Sequence, residues 1–91
     1  MEENEKRFLG IDVSKGYADF ILLDSQKKIV EKSFQLDDNK VGHELLKKQL
    51  LLQVRQGFTV ICGLESTGGY EQNWVRMTKQ LSAKETSIEL Y

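Results

Sequence analysis

The spacing of the apolar residues first changes at Asp37-Asp38-Asn39, from a period of two to a period of 3.6. A chain with that break has short strands before it and an amphipathic helix after it. Residues 8–13, Phe8-Leu9-Gly10-Ile11-Asp12-Val13, form a nearly continuous apolar run, as expected of a strand covered on both faces. Ser14-Lys15-Gly16 supplies a turn, and residues 17–23 alternate as a second strand antiparallel to the first. A polar turn at 24–27 leads to a third strand over 28–36, whose lysines and glutamate suit a sheet edge.

Past the break, acidic residues and Asn39 suit a helix start. Over 40–56, Val41, Leu45, Leu46, Leu50, Leu52 and Val54 give a broad apolar stripe with lysines opposite. Gly57 is placed to end this helix, with Phe58 packing back on it. Residues 59–64 read as a buried strand, Ser66-Thr67-Gly68-Gly69 as a loop, and 70 to about 82 as a second helix buried through Trp74, Val75 and Leu81. Ile88-Glu89-Leu90-Tyr91 begins one more strand.

The order is therefore β-β-β-α-β-α, then β, an α/β fold with a mixed sheet. Three strands form a meander, and the long helix is a crossover that returns the fourth strand parallel to the first. Residues 1–7 are expected to be a polar leader, with 8–91 forming one domain or part of one.

With 40% hydrophobic and 30% charged residues, the composition is that of an ordinary soluble domain. The apolar stretches are far shorter than the ~20 residues that cross a bilayer, and the charged start, MEENEKR, is unlike a secretory signal. A cytoplasmic protein without a membrane partner is expected. Cys62 and His43 are the only residues of their types, which excludes an internal disulfide and a zinc-ligand set. Cys62 reads as a small buried hydrophobe, His43 as a solvated surface histidine, and Trp74 as core. The net charge of −1 counts against a stand-alone nucleic-acid binder, which usually has a basic patch.

Two carboxylates occupy unusual places. Asp12 lies inside the most hydrophobic strand, where an ionised group costs several kcal/mol, of order ~3–5, unless paired or bound to a cation. Glu65 closes the fourth strand, where ligand sites of open α/β sheets lie. If the crossover sets that strand beside the first, the two acids become neighbours, and a divalent cation between them relieves their repulsion. Their ordinary readings are a strand-end aspartate bonded to the following turn and a solvated terminal glutamate. Asp19, Asp24, Asp37 and Asp38 have ordinary turn, face or cap explanations. Lys15 is placed to offer a positive charge beside Asp12. The Ser66–Tyr70 segment, at a helix N-terminus, is either a phosphate cradle or simply a turn and cap.

Gly10-Ile11-Asp12-Val13-Ser14-Lys15, with Asp19 in the next strand, resembles the opening of the DEDD-type, RuvC-like transposases of bacterial insertion sequences, family one-ten. Glu65-Ser66-Thr67-Gly68-Gly69-Tyr70 resembles that family's second signature, at a similar separation and after a similar helix. The resemblance spans residues 8 to about 81. It implies a ribonuclease-H-like fold on which Asp12 and Glu65 are two of four catalytic carboxylates and metal ligands. It further implies two Mg²⁺ (or Mn²⁺) ions in the complete domain, DNA cleavage and strand transfer, and homo-oligomers. DNA is the implied partner, with guide RNA in some members. Lys15, Ser66, Thr67, Gly68 and Tyr70 would touch the nucleic-acid backbone. The family's other two carboxylates are aspartates close together in a later helix, and residues 82–91 contain no aspartate. The expectation is a C-terminally truncated portion of a transposase catalytic domain, inactive alone.

Two other readings stand beside this one. Gly10-Ile11-Asp12 with Ser14-Lys15-Gly16 loosely fits the phosphate-cradling turn of sugar kinases and actin-like ATPases. A non-catalytic module that self-associates through a sheet edge or apolar face is the other.

Overall fold

The computed structural model describes residues 5–66 and 68–91. Its elements are β1 (Lys6–Ser14), β2 (Tyr17–Leu23), β3 (Ile29–Asp37), α1 (Lys40–Arg55), β4 (Thr59–Ser66), α2 (Gln72–Lys84) and β5 (Ile88–Leu90). The strands form one mixed sheet in the order β3-β2-β1-β4-β5, a ribonuclease-H-like topology. β1 pairs antiparallel with β2 and parallel with β4, so the crossover through α1 does return the chain beside its first strand.

Each strand sends one parity of side chains to the helices. Leu9, Ile11 and Val13 of β1, Ala18, Phe20 and Leu22 of β2, and Val60 and Cys62 of β4 join Leu46, Leu50, Trp74 and Leu81 in a single core. Phe20 stacks on Phe34 with ring centroids 5.2 Å apart and meets the edge of Trp74 at 5.4 Å. Contacts of this kind are worth about 0.5–1.5 kcal/mol beyond the buried area. Trp74 is fully buried, and its indole N–H has no hydrogen-bond partner among the described residues.

The expectation that β1 is covered on both faces is wrong. Its burial alternates, with Ile11 and Val13 buried and Asp12 between them exposed. Both helices pack on one face, and Phe8, Gly10 and Asp12 lie on the other. The apolar run is continuous only because a glycine and an aromatic residue occupy two positions of the open parity.

α1 and the first residues of the chain differ from expectation as well. Val41, Leu45 and Leu52 are exposed, and the buried positions are Gly42, Leu46, Leu50 and Gln53. The buried stripe is thus narrower than the apolar pattern suggested, and Gln53 is tolerated in it because Arg7 Nη1 donates to its Oε1 at 2.6 Å. Lys6 and Arg7 belong to β1 and are not leader. The Arg7 guanidinium lies 3.6 Å from the Phe58 ring centroid, which anchors this end of the sheet under α1.

The helix ends follow their sequences closely. Asn39 Oδ1 accepts from the Gly42 amide at 2.8 Å, and at the other end Gly57 takes φ +95°. There the Phe58 amide donates to Gln53 O (3.1 Å) and the Gly57 amide to Val54 O (3.0 Å), a Schellman ending. α2 starts at Gln72, two residues later than expected, and ends at Lys84. No helix among the described residues is long and apolar enough to cross a membrane.

Candidate cation site on the open sheet face

The two-residue turn at Lys15-Gly16, with Gly16 at φ +85°, fixes the β1–β2 register. Ser14 faces Tyr17, and two steps down Asp12 faces Asp19. On the other side of β1, the parallel register sets Asp12 opposite Glu65. Adjacent strands lie ~4.8 Å apart, so Asp19, Asp12 and Glu65 form one row of carboxylates on the open face. Gln35 of β3 extends the row, its Nε2 donating to Asp19 Oδ1 at 3.2 Å.

Beneath this row, Gly10 and Gly63 are register partners and leave a floor without side chains. A Cβ at Gly63 would meet nothing within 4 Å. Ile21 rises beside Gly10, and Tyr91 lies on the far side, held by its amide to Cys62 O at 2.8 Å. The result is an open depression of roughly 580 Å³ lined by Asp12, Asp19, Glu65, Ile21 and Tyr91.

Neither Asp12 nor Glu65 has a hydrogen-bond or ion-pair partner among the described residues, whose one ion pair is His43–Asp38, elsewhere in the fold. Both acids are exposed. Asp12 is thus not desolvated, contrary to expectation; what makes the position unusual is a like charge on each side rather than burial. Among the described residues no three His, Cys, Asp or Glu side chains converge tightly enough to hold a metal by themselves. The chemistry available is that of two neighbouring hard oxygen donors, Asp12 and Glu65, with a third carboxylate alongside. Such donors suit Mg²⁺, which keeps much of its water and takes one or two protein carboxylates plus phosphate.

The other candidates are dispersed. Lys15 is exposed at the tip of the β1–β2 turn. Ser66 follows Glu65 on the opposite parity, facing the helices, and its Oγ is buried without a partner among the described residues. Gly68 and Tyr70 are exposed, and the Tyr70 ring lies against Gly68. Thr67 lies outside the described residues. α2 has no side-chain cap at Glu71. Asp19, assigned an ordinary role from sequence, belongs to the row; counting pairs outward from the two-residue turn would have placed it opposite Asp12.

His43 is not a freely solvated surface residue. Its Nε2 lies 2.6 Å from Asp38 Oδ1, and its ring meets the edge of Trp74 at 4.7 Å. Asn73 Nδ2 reaches both Asp38 oxygens at 3.4 Å, so Asp38 joins the starts of α1 and α2.

Compared with known proteins, the chain matches no family model and no curated sequence.

Proposed function

We propose that this chain supplies Asp12 and Glu65 as two of the metal-holding carboxylates of a DEDD-type transposase or recombinase domain, acting in Mg²⁺-dependent DNA cleavage and strand transfer. The observation that carries the reading is the Asp12–Glu65 register pair, facing an open depression near the C-terminal ends of two parallel neighbouring strands. The flanking Gly-Ile-Asp-Val-Ser-Lys and Glu-Ser-Thr-Gly-Gly-Tyr motifs support it.

Asp12, between two acids, is the residue best placed to share a cation with either neighbour, and Glu65 is its partner across the parallel pair. When bound, a divalent ion neutralises the charge that develops on phosphate oxygens and lowers the pKa of attacking water. Asp19, fixed by Gln35, adds negative potential to the same depression. Lys15 at the hairpin tip and the exposed loop residues Gly68 and Tyr70 are the groups offered to a nucleic-acid backbone. The Gly10–Gly63 floor allows a phosphate or sugar to approach the sheet backbone. Two carboxylates fill only part of a cation's sphere, so water, phosphate or other acidic residues must complete it.

Titration calorimetry with Mn²⁺ tests the assignment. Asp12→Asn and Glu65→Gln should each weaken binding about tenfold or more, in line with the loss of about 1.4 kcal/mol or more from one charged ligand. Affinity unchanged from that of the parent in both variants overturns it. ATP binding at the same depression would point instead to the kinase-like reading.

A further inference from the structure

The net charge of −1 conceals a division between the two sides of the molecule. The open sheet face displays Asp12, Asp19 and Glu65 around its depression. On the other side, α1 carries Lys40, Lys47, Lys48 and Arg55 against the single acid Glu44, and α2 carries Arg76, Lys79 and Lys84 against none. All seven cations are exposed. A solvated helix face ordinarily intersperses both signs at i,i+3 and i,i+4 spacing. Glu44 stands at such spacings from Lys40, Lys47 and Lys48, yet no ion pair involving any of them occurs among the described residues.

Four of these cations line the groove between the helices. Lys40 and Arg76 lie at its upper end with His43 and Asn73, and Lys47 and Lys84 at its lower end, with Glu44, Met77 and Gln80 between. At 1.5 Å per residue, Lys40 and Lys47 are ~10 Å apart along α1, and Arg76 and Lys84 ~12 Å along α2. The groove is therefore an elongated track of four cations around the single carboxylate of Glu44, with amide donors along it, rather than one cationic point. Asp38 is engaged with His43 and Asn73 beside the upper end of the groove.

We infer that the α1–α2 groove binds the phosphate backbone of a nucleic acid, as a surface separate from the carboxylate row and on the opposite side of the sheet. A polymer with one charge per ~1.7 Å of duplex axis matches a track of this length, and release of its counterions supplies the affinity. Backbone contacts of this kind hold and orient without reading sequence. The groove needs no metal, so it stands whether or not Asp12 and Glu65 hold one.

The test is fluorescence anisotropy of a mixed-sequence DNA duplex and a single-stranded RNA, in EDTA, with the 91-residue chain at rising salt. Binding at low salt should weaken at least tenfold in Lys40→Glu/Arg76→Glu and in Lys47→Glu/Lys84→Glu. The slope of log K against log salt should become shallower by about 0.9 for each phosphate that the variant no longer neutralises. Lys28→Glu/Lys32→Glu, which makes the same charge change in the β2–β3 hairpin, should weaken binding far less. Circular dichroism melts identify any variant that fails to fold, and the second helix pair then stands in for the first. Tighter binding of one probe identifies the source of the phosphates. The inference is overturned by no binding at low salt, by an equal loss of affinity in the hairpin control, or by polyglutamate competing as well as nucleic acid does.

Discussion

Asp12 and Glu65 are register partners across the parallel β1–β4 pair, and no cation stands beside either of them among the described residues. Asp19 faces Asp12 from the other side. Like charges directly opposite on one sheet face destabilise it. The sheet holds this arrangement because the row faces water while the opposite parity packs against two helices.

Neutralising the middle member should therefore stabilise the metal-free protein. Asp12→Asn is expected to raise unfolding stability in EDTA by about 0.2–1 kcal/mol, read as an upward shift of the urea midpoint at unchanged slope. A substantial drop in stability would mean that Asp12 has a structural role.

Two glycines should respond to alanine for different reasons. Gly57 sits at φ +95° with open space where a Cβ would go, so Gly57→Ala should cost only the left-handed backbone penalty, about 1–2 kcal/mol. Gly42, inside α1, has the Asp37 carbonyl oxygen where its Cβ would stand. Gly42→Ala should cost about 3 kcal/mol, at the upper end for overpacking, although alanine favours helix by about 1 kcal/mol. Urea unfolding of the two variants checks the order, which reverses if α1 can shift away from β3.

Much of this architecture was legible in the order of periods. The crossover, and with it the pairing of Asp12 with Glu65, followed from a long amphipathic segment between two apolar runs. The single-sidedness of the sheet was not legible. Gly10 and Phe8 count as apolar in a run whose hydropathy calls for cover on both faces, and only the exposure of Asp12 shows that the cover is on one. Nor was the role of His43, because its contacts with Asp38 and Trp74 depend on how α2 docks against α1. Asp19 was within reach, since a two-residue turn fixes the hairpin register.

Cys62 should be inert to thiol reagents in the native state. It is fully buried, and burial pushes its thiol up from 9.0 to about 12. Labelling at ~pH 8, below the ordinary thiol pKa, should require unfolding and accelerate in urea in step with the unfolded fraction. The sign of the pH effect follows. Below pH 9 the thiol is protonated in both states; between pH 9 and about 12 only the unfolded chain ionises, so stability falls as pH rises. The decline approaches about 1.4 kcal/mol per pH unit. The difference in urea midpoint between about pH 8 and about pH 10 should be larger for the parent than for Cys62→Ala; equal differences would contradict this.

Asp38→Ala should leave the His43 Nε2 and Asn73 Nδ2 groups without their acceptor and loosen the start of α2 against α1. A cost of about 1–3 kcal/mol is expected, as for hydrogen bonds to a charged group. Amide exchange should quicken first in α2. Unchanged exchange there would show that the Trp74 packing alone fixes the helix.

Asp12 and Glu65 are proposed to hold a divalent cation together. Paramagnetic broadening of amide resonances by substoichiometric Mn²⁺ tests it most directly, since the effect maps position as well as affinity. Broadening should centre on Asp12 and Glu65, extend to Asp19, Gly10 and Gly63, spare the α1–α2 groove, and disappear in Asp12→Asn. Broadening spread over the surface acids, or unchanged in Asp12→Asn, would contradict the account.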